Sequence, residues 1–192
     1  MHLREIIKKI SRVISKTNEY NKDEEEQVEY ALRIVIFEFL KIVSAIIIFS
    51  LIGYPTQAIV SIGTMTLVKP YIGGYHEDTQ VKCFTATLII VGCIIFLSIN
   101  LRIDFIAMLI LNAVSLYCIW QQAPVINPKM EITRPELIKR NRMIGIAFTL
   151  ALISVSIIFR KYIVISNVII WTIVFQALLM FNKRERTYTE VL

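Results

Sequence analysis

Cysteine and histidine are scarce in this chain, and neither falls into a metal-binding pattern. The three cysteines, Cys83, Cys93 and Cys118, follow no ligand spacing, so nothing in them argues for a zinc site or a disulfide framework. Two of the three lie inside apolar blocks, where a free thiol behaves as a small hydrophobe. The first thirty residues are polar and charged and lack an apolar stretch ending in a small-residue cleavage site, so no cleavable signal peptide is expected. No internal repeat or low-complexity tract is visible. The net charge of +6 does not call for a nucleic-acid partner, because lysine and arginine retained on the cytoplasmic loops of a membrane protein account for it.

What the chain has in abundance is apolar sequence. Hydrophobic residues make up 56% of its 192 positions, above the roughly 45–50% of soluble domains, and mean hydropathy is +0.62. These residues come in long blocks, the pattern a bilayer selects. The expected fold is therefore all-α: a polytopic membrane protein of about six segments, preceded by an amphipathic interfacial helix. The proposed segments cover about 32–54, 56–68, 79–99, 105–120, 143–159 and 163–181. The second is too short to cross about 30 Å as a straight helix, unless it continues toward Tyr71. The first carries Glu38 and Lys41, three residues apart on one helix face and able to neutralise each other.

Before the first segment, Leu3, Ile6, Ile7, Ile10, Val13 and Ile14 share one helical face, and Arg4, Lys8, Lys9, Arg12 and Lys16 lie elsewhere on the wheel. Such a helix suits an anionic lipid surface, or else packing on protein. The acidic run "NEYNKDEEEQVEY" follows as a connector or helix start. Three regions are expected: 1–30 as amphipathic helix and connector, 31–186 as the multi-span domain and 187–192 as a short tail. Cations alternate along the chain. Seven lie before or at the start of the first segment, Arg33 being the last, Lys69 and Lys82 flank the loop between segments two and three, five lie in 121–142 and three in the tail. The intervening turns carry none, Arg102 alone, and Arg160 with Lys161. This bias places both termini, and the loop around residues 69–82, on the cytoplasmic side.

That loop reads "LVKPYIGGYHEDTQVKCF". A thiol near its ordinary pKa of about 8.5 needs a base, a cation or a helix N-terminus to become a nucleophile. His76 is the one imidazole near a cysteine in sequence. Seven residues of unbroken helix separate His76 from Cys83 by about 10.5 Å, too far for a shared hydrogen bond. Cooperation therefore requires a break, and Pro70 with Gly73-Gly74 punctuates the chain just ahead of His76. Asp78 or Thr79 is a plausible N-cap for the next helix, placing Cys83 near its first turn with Lys82 adding positive charge. Glu77 and Asp78 are candidate orienting acids for the imidazole, and equally good capping or solvated residues. A cysteine–histidine dyad is chemically coherent here. A packing glycine pair, an interfacial histidine and a filler cysteine also fit the same residues.

At these positions the chain resembles AgrB, the accessory gene regulator protein B family of membrane cysteine endopeptidases. "KPYIGGYH" followed by Cys83 carries the resemblance, with the family's glycine, histidine and cysteine at Gly74, His76 and Cys83. "APVINPKMEITRPE" resembles the family's Ala-Pro loop. The family usually has arginine at Lys69 and often alanine at Glu77. The resemblance implies catalytic Cys83 and His76, with Gly73, Gly74 and Lys69 supporting them. It also implies a homodimer and neither metal nor organic cofactor. The implied substrate is an AgrD-like propeptide of bacterial quorum sensing, cleaved on the C-terminal side of its future ring through an acyl-enzyme thioester and closed to a thiolactone or lactone. A small non-enzymatic transporter or structural membrane protein is the alternative, motivated by Glu38 and Lys41.

Overall fold

Local chemistry, more than hydropathy, decides where the helices begin. The computed structural model describes residues 2–18, 20–74, 79–125 and 134–181, with the side chains of 2–4 left aside. Among them are seven α-helices, one 3-10 turn and no strand, as an all-α protein requires. Four helices are long and apolar enough to cross a membrane, and a fifth is apolar but shorter. The chain is thus a multi-pass membrane protein. It divides into two compact units, residues 1–45 and 46–192.

The first unit holds α1 (His2–Thr17) and most of α2 (Lys22–Leu51). Asn21 and Glu24 form a reciprocal capping box: Glu24 N–H donates to Asn21 Oδ1 and Asn21 N–H donates to Glu24 Oε2, both at 2.9 Å. With Asp23, Glu24 and Glu25 in the first turn, where the helix dipole favours acids, this starts α2 ten residues before the apolar run. The acidic connector is therefore a helix start. On α1, Ile7, Ser11 and Ser15 are buried in one i, i+4, i+8 line, while Ile6, Ile10 and Val13 remain exposed. Lys41 Nζ meets Glu38 Oε2 at 2.6 Å, so the two charges of the first span do neutralise each other.

The second unit is organised around its shortest apolar helix. Helices α3 (Pro55–Ile72), α4 (Gln80–Asn100), α5 (Phe105–Gln122) and α6 (Pro135–Ile158) all pack on α7 (Ile163–Leu179). Helix α7 buries Val168, Ile169, Ile170, Ile173 and Ala177, and with them Ser166, Asn167, Thr172 and Gln176. One hydrophobic cluster joins Val68 and Ile72 of α3, Ile119 of α5, Ala123 and Val125, and Ile169, Ile173, Ala177 and Met180. Phe96, Ile106, Ile110, Val114 and Ile158 point outward, as lipid-facing side chains do.

Lipid is as apolar as these side chains, so close packing and interhelical hydrogen bonds hold such helices together, the latter about 0.6–2 kcal/mol each. Thr172 Oγ1 lies 3.4 Å from Ser61 Oγ, tying α7 to α3. Asn167 Nδ2 donates to the carbonyl oxygens of Ser98 and Leu101 at the end of α4. Ser166 Oγ donates to Ser156 O at 2.8 Å, binding α7 to α6.

Two more segments run longer than hydropathy suggests. Helix α6 starts at Pro135, eight residues ahead of its apolar run, with Pro in the first turn, where its missing N–H costs nothing. Helix α3 passes through Pro70 to Ile72, where Gly73 at φ 75° ends it.

Candidate active site

The glycine pair is held from outside its own helix. Val125 N–H donates to Ile72 O at 2.8 Å, which satisfies one of the carbonyls left over at the end of α3. A Cβ on Gly73 would collide with the carbonyl oxygen of Val125. Its positive φ also lies where L side chains are strained, so glycine is needed twice over. Gly74 at φ 127° is buried near the backbone of Leu179 on α7. From the other side, Gly145 of α6 lets α3 approach: a Cβ there would lie 2.6 Å from Ile72 Cγ2 and 3.3 Å from Tyr71 Cβ. The Ala-Pro segment Ala123–Val125 therefore seats the glycine pair, joining the two sequence motifs in space.

On the far side of the loop, Thr79 caps α4. Its Oγ1 accepts from Lys82 N–H at 3.3 Å, and Cys83 N–H donates to Thr79 O at 2.9 Å. Cys83 is thus the fourth helical residue, within reach of the positive end of the helix dipole. Thr87, one turn on, donates from Oγ1 to Cys83 O at 2.9 Å. Cys83 is half-buried and lines a cleft of about 10 Å³ with Lys69, Met65, Ala86, Thr87, Ile90 and Leu179. That volume holds about one water molecule.

Cys83 and Lys69 are therefore brought together across α3 and α4, with Gly73 and Gly74 at the end of the same α3. His76, Glu77 and Asp78 lie outside the described residues, and Lys82 points outward, exposed. Cys93 is exposed and Cys118 packs against the hydrophobic cluster, as small apolar side chains do. Among the described residues, no group of three or more His, Cys, Asp or Glu could hold a metal ion. Of the cations expected between α5 and α6, Arg142 donates from Nη2 to Trp120 O at 2.8 Å and stacks over the Trp120 ring, while Lys139 and Arg140 are exposed.

Gly145, Thr87 and Leu179 escaped the sequence reading, and Val125 was noted only as part of the Ala-Pro motif. Of the three missed residues only Gly145 left a local signal, as a glycine inside an apolar helix.

The sequence model of the family described as Accessory gene regulator B matches residues 7–180, through both motifs and all seven helices. The chain belongs to the AgrB family. AgrB-like protein 1 of Clostridium perfringens strain 13 is 38% identical over 184 residues, covering 96% of this chain and 98% of that one. Accessory gene regulator protein B of Staphylococcus aureus strain bovine RF122 is 22% identical over 156 residues, covering 81% and 83%. No solved structure matches this AgrB-family chain.

Proposed function

We propose that this protein is a membrane cysteine endopeptidase that processes an AgrD-like propeptide in accessory gene regulator quorum sensing. One observation carries the reading: in a chain of this family, Cys83 stands in the opening turns of α4, in a cleft shared with Lys69. His76 takes the thiol proton, and the Cys83 thiolate attacks the carbonyl carbon at the C-terminal edge of the future ring. The tetrahedral intermediate collapses as the peptide C–N bond breaks. His76 returns the proton to the leaving amine, and the C-terminal tail departs; the family resemblance implies that this tail is acidic, which suits capture by the basic cytoplasmic side of the protein.

The remaining acyl group is a thioester on Cys83. A cysteine thiol or serine hydroxyl within the propeptide attacks it, forming a thiolactone or lactone and restoring Cys83. Ring closure beats hydrolysis because the attacking group is already held in place. Glu77 and Asp78 are the candidate orienting acids, and Gly73, Gly74 and Lys69 support the site. The site and both termini face the cytoplasm of a bacterial cell membrane, and the protein works as a homodimer among lipids.

The transporter reading rested on Glu38 and Lys41. Their mutual ion pair lowers the cost of placing both in an apolar span, so their presence requires no conduction path.

Co-expression with an AgrD-like propeptide, read by mass spectrometry, tests the proposal. Cys83→Ala and His76→Ala should each abolish cleavage while the protein still inserts in the membrane. Cleavage that survives Cys83→Ala sinks the reading.

A further inference from the structure

Gln176 is out of place in the last turn of the apolar helix α7. It is 4% exposed, and both atoms of its side-chain amide, Nε2 and Oε1, are buried without a hydrogen-bond partner. A buried amide left unpaired carries a desolvation cost that nothing among the described residues repays, and a glutamine among membrane helices ordinarily bonds across to a neighbouring helix. Ser166, Asn167 and Thr172 of α7 all donate hydrogen bonds; Trp171 Nε1 is also buried without a partner, but Gln176 alone on this helix leaves both a donor and an acceptor unmet among the described residues.

Two interhelical registers locate this amide. Helices α3 and α7 run in the same direction, since Thr172 meets Ser61 and Leu179 lies against Gly74. Four residues after Thr172, Gln176 stands on the same α3-facing strip of α7, level with the Met65–Val68 turn. Helix α4 runs the opposite way, since Asn167 meets Ser98 and Leu101, and Leu179 shares the cleft with Cys83. Nine residues beyond Asn167, Gln176 stands on the side of α7 turned away from the α4 contact, so its side chain faces α3. Met65 and Lys69 of α3 and Leu179 of α7 are walls of the Cys83 cleft. Gln176, three residues before Leu179, is its neighbour on the surface of α7, one helical turn inward from that cleft.

The cleft holds about 10 Å³, enough for a water molecule and far too little for a peptide. Anything delivering a carbonyl carbon to Cys83 must part α3, α4 and α7, and displacing Leu179 uncovers the amide behind it. A primary amide carries donors and an acceptor, the complement of a peptide group.

We propose that Gln176 binds the main chain of the peptide acylating Cys83, donating from Nε2 to a peptide carbonyl and accepting at Oε1 from a peptide N–H. It is a substrate-binding residue, left unpaired in the free protein so that the peptide backbone completes it. The inference rests on the endopeptidase reading of Cys83.

The test compares Gln176→Leu and Gln176→Met with the wild-type protein in detergent or proteoliposomes, using an AgrD-like propeptide that the wild type cleaves. Both variants should keep or raise the thermal unfolding midpoint, because each removes an unpaired buried amide. Both should lose about tenfold or more in kcat/KM, the worth of one or two good hydrogen bonds. Maleimide labelling of Cys83, in a background with Cys93→Ala and Cys118→Ala, should proceed at the parental rate, showing that the thiol itself is untouched. Wild-type cleavage by both variants overturns the proposal. A lowered unfolding midpoint in both also overturns it, because the amide then has a structural partner in the chain. If Cys83→Ala still cleaves, the endopeptidase reading has failed, and Gln176 is not what failed.

Discussion

The two ends of the α7 bundle treat their buried polar groups in opposite ways. Where α7 begins, Asn167 spans two carbonyls of α4, Ser166 donates to Ser156 O, and Asn112 reaches Ser156 Oγ at 3.4 Å with Nδ2, although its Oδ1 has no partner. A cavity of about 30 Å³ beside them takes in Asp104 and Arg160, with Arg160 stacked over Phe105. These groups tie helix ends together. Where α7 ends, Gln176 has no partner, the Cys83 cleft is nearly closed, and a glycine with positive φ is pressed against the backbone of another loop. On the function proposed above, the first end holds the bundle together and the second admits the peptide. The contrast offers a way to separate polar residues that hold a membrane bundle from those that serve chemistry.

Gly73→Ala should break the working end most severely. The new Cβ meets the Val125 carbonyl, which belongs to backbone and cannot swing aside, and it adds the strain of φ 75°. A displacement of about 1 Å in the loop bearing His76 is enough for roughly a 100-fold loss of cleavage. Initial rates normalised to membrane-inserted protein would show it. Gly145→Ala should do less, because its nearest neighbour is the Ile72 side chain.

At the other end, Asn167→Leu should cost about 1–3 kcal/mol of stability by orphaning the carbonyls of Ser98 and Leu101. Thermal unfolding measures that loss, and cleavage per folded molecule should stay at the wild-type level. Its signature is therefore the reverse of Gln176→Leu. Should both variants lower stability alike, the distinction between the two ends collapses.

The smallest effect belongs to the surface. Lys139→Gln with Arg140→Gln removes two exposed cations on the side proposed to meet the acidic tail of the propeptide. It should raise KM a few-fold at low salt and have little effect near 1 M, where screening leaves about 3 Å of electrostatic reach. A change in kcat with KM unaltered would count against electrostatic capture.

Much of this architecture was legible because apolar runs and caps are local. Helices α4, α5 and α7 begin and end within two residues of the expected segments, and Thr79 caps α4 as one of two expected candidates. The misses have local causes too. Helices α2 and α6 open with polar turns that hydropathy discounts, although the Asn21–Glu24 box and Pro135 signal both starts. The stripe of α1 is amphipathic as expected, with Ile6, Ile10 and Val13 exposed as an interfacial helix presents them, but the inward turn of Ile7 beside Ser11 and Ser15 could not be read from the wheel. At the site, Cys83, Lys69 and the glycines could be nominated because chemistry and chain breaks are written in residue type. Val125, Gly145, Thr87 and Leu179 could not, because their roles are distances between helices far apart in sequence. Gln176 was missed for the same reason: a single glutamine in an apolar run shows nothing until its lack of partners is seen.

The central claim is that Cys83 carries the peptide as a thioester, and one measurement addresses it directly. An AgrD-like propeptide whose ring-closing cysteine or serine is replaced by alanine can acylate the protein but cannot cyclise. Intact-protein and peptide mass spectrometry should then find the propeptide's N-terminal portion attached to Cys83, sensitive to hydroxylamine and absent in Cys83→Ala and His76→Ala. Release of the C-terminal tail with no adduct on Cys83, and at an undiminished rate in Cys83→Ala, would contradict the account.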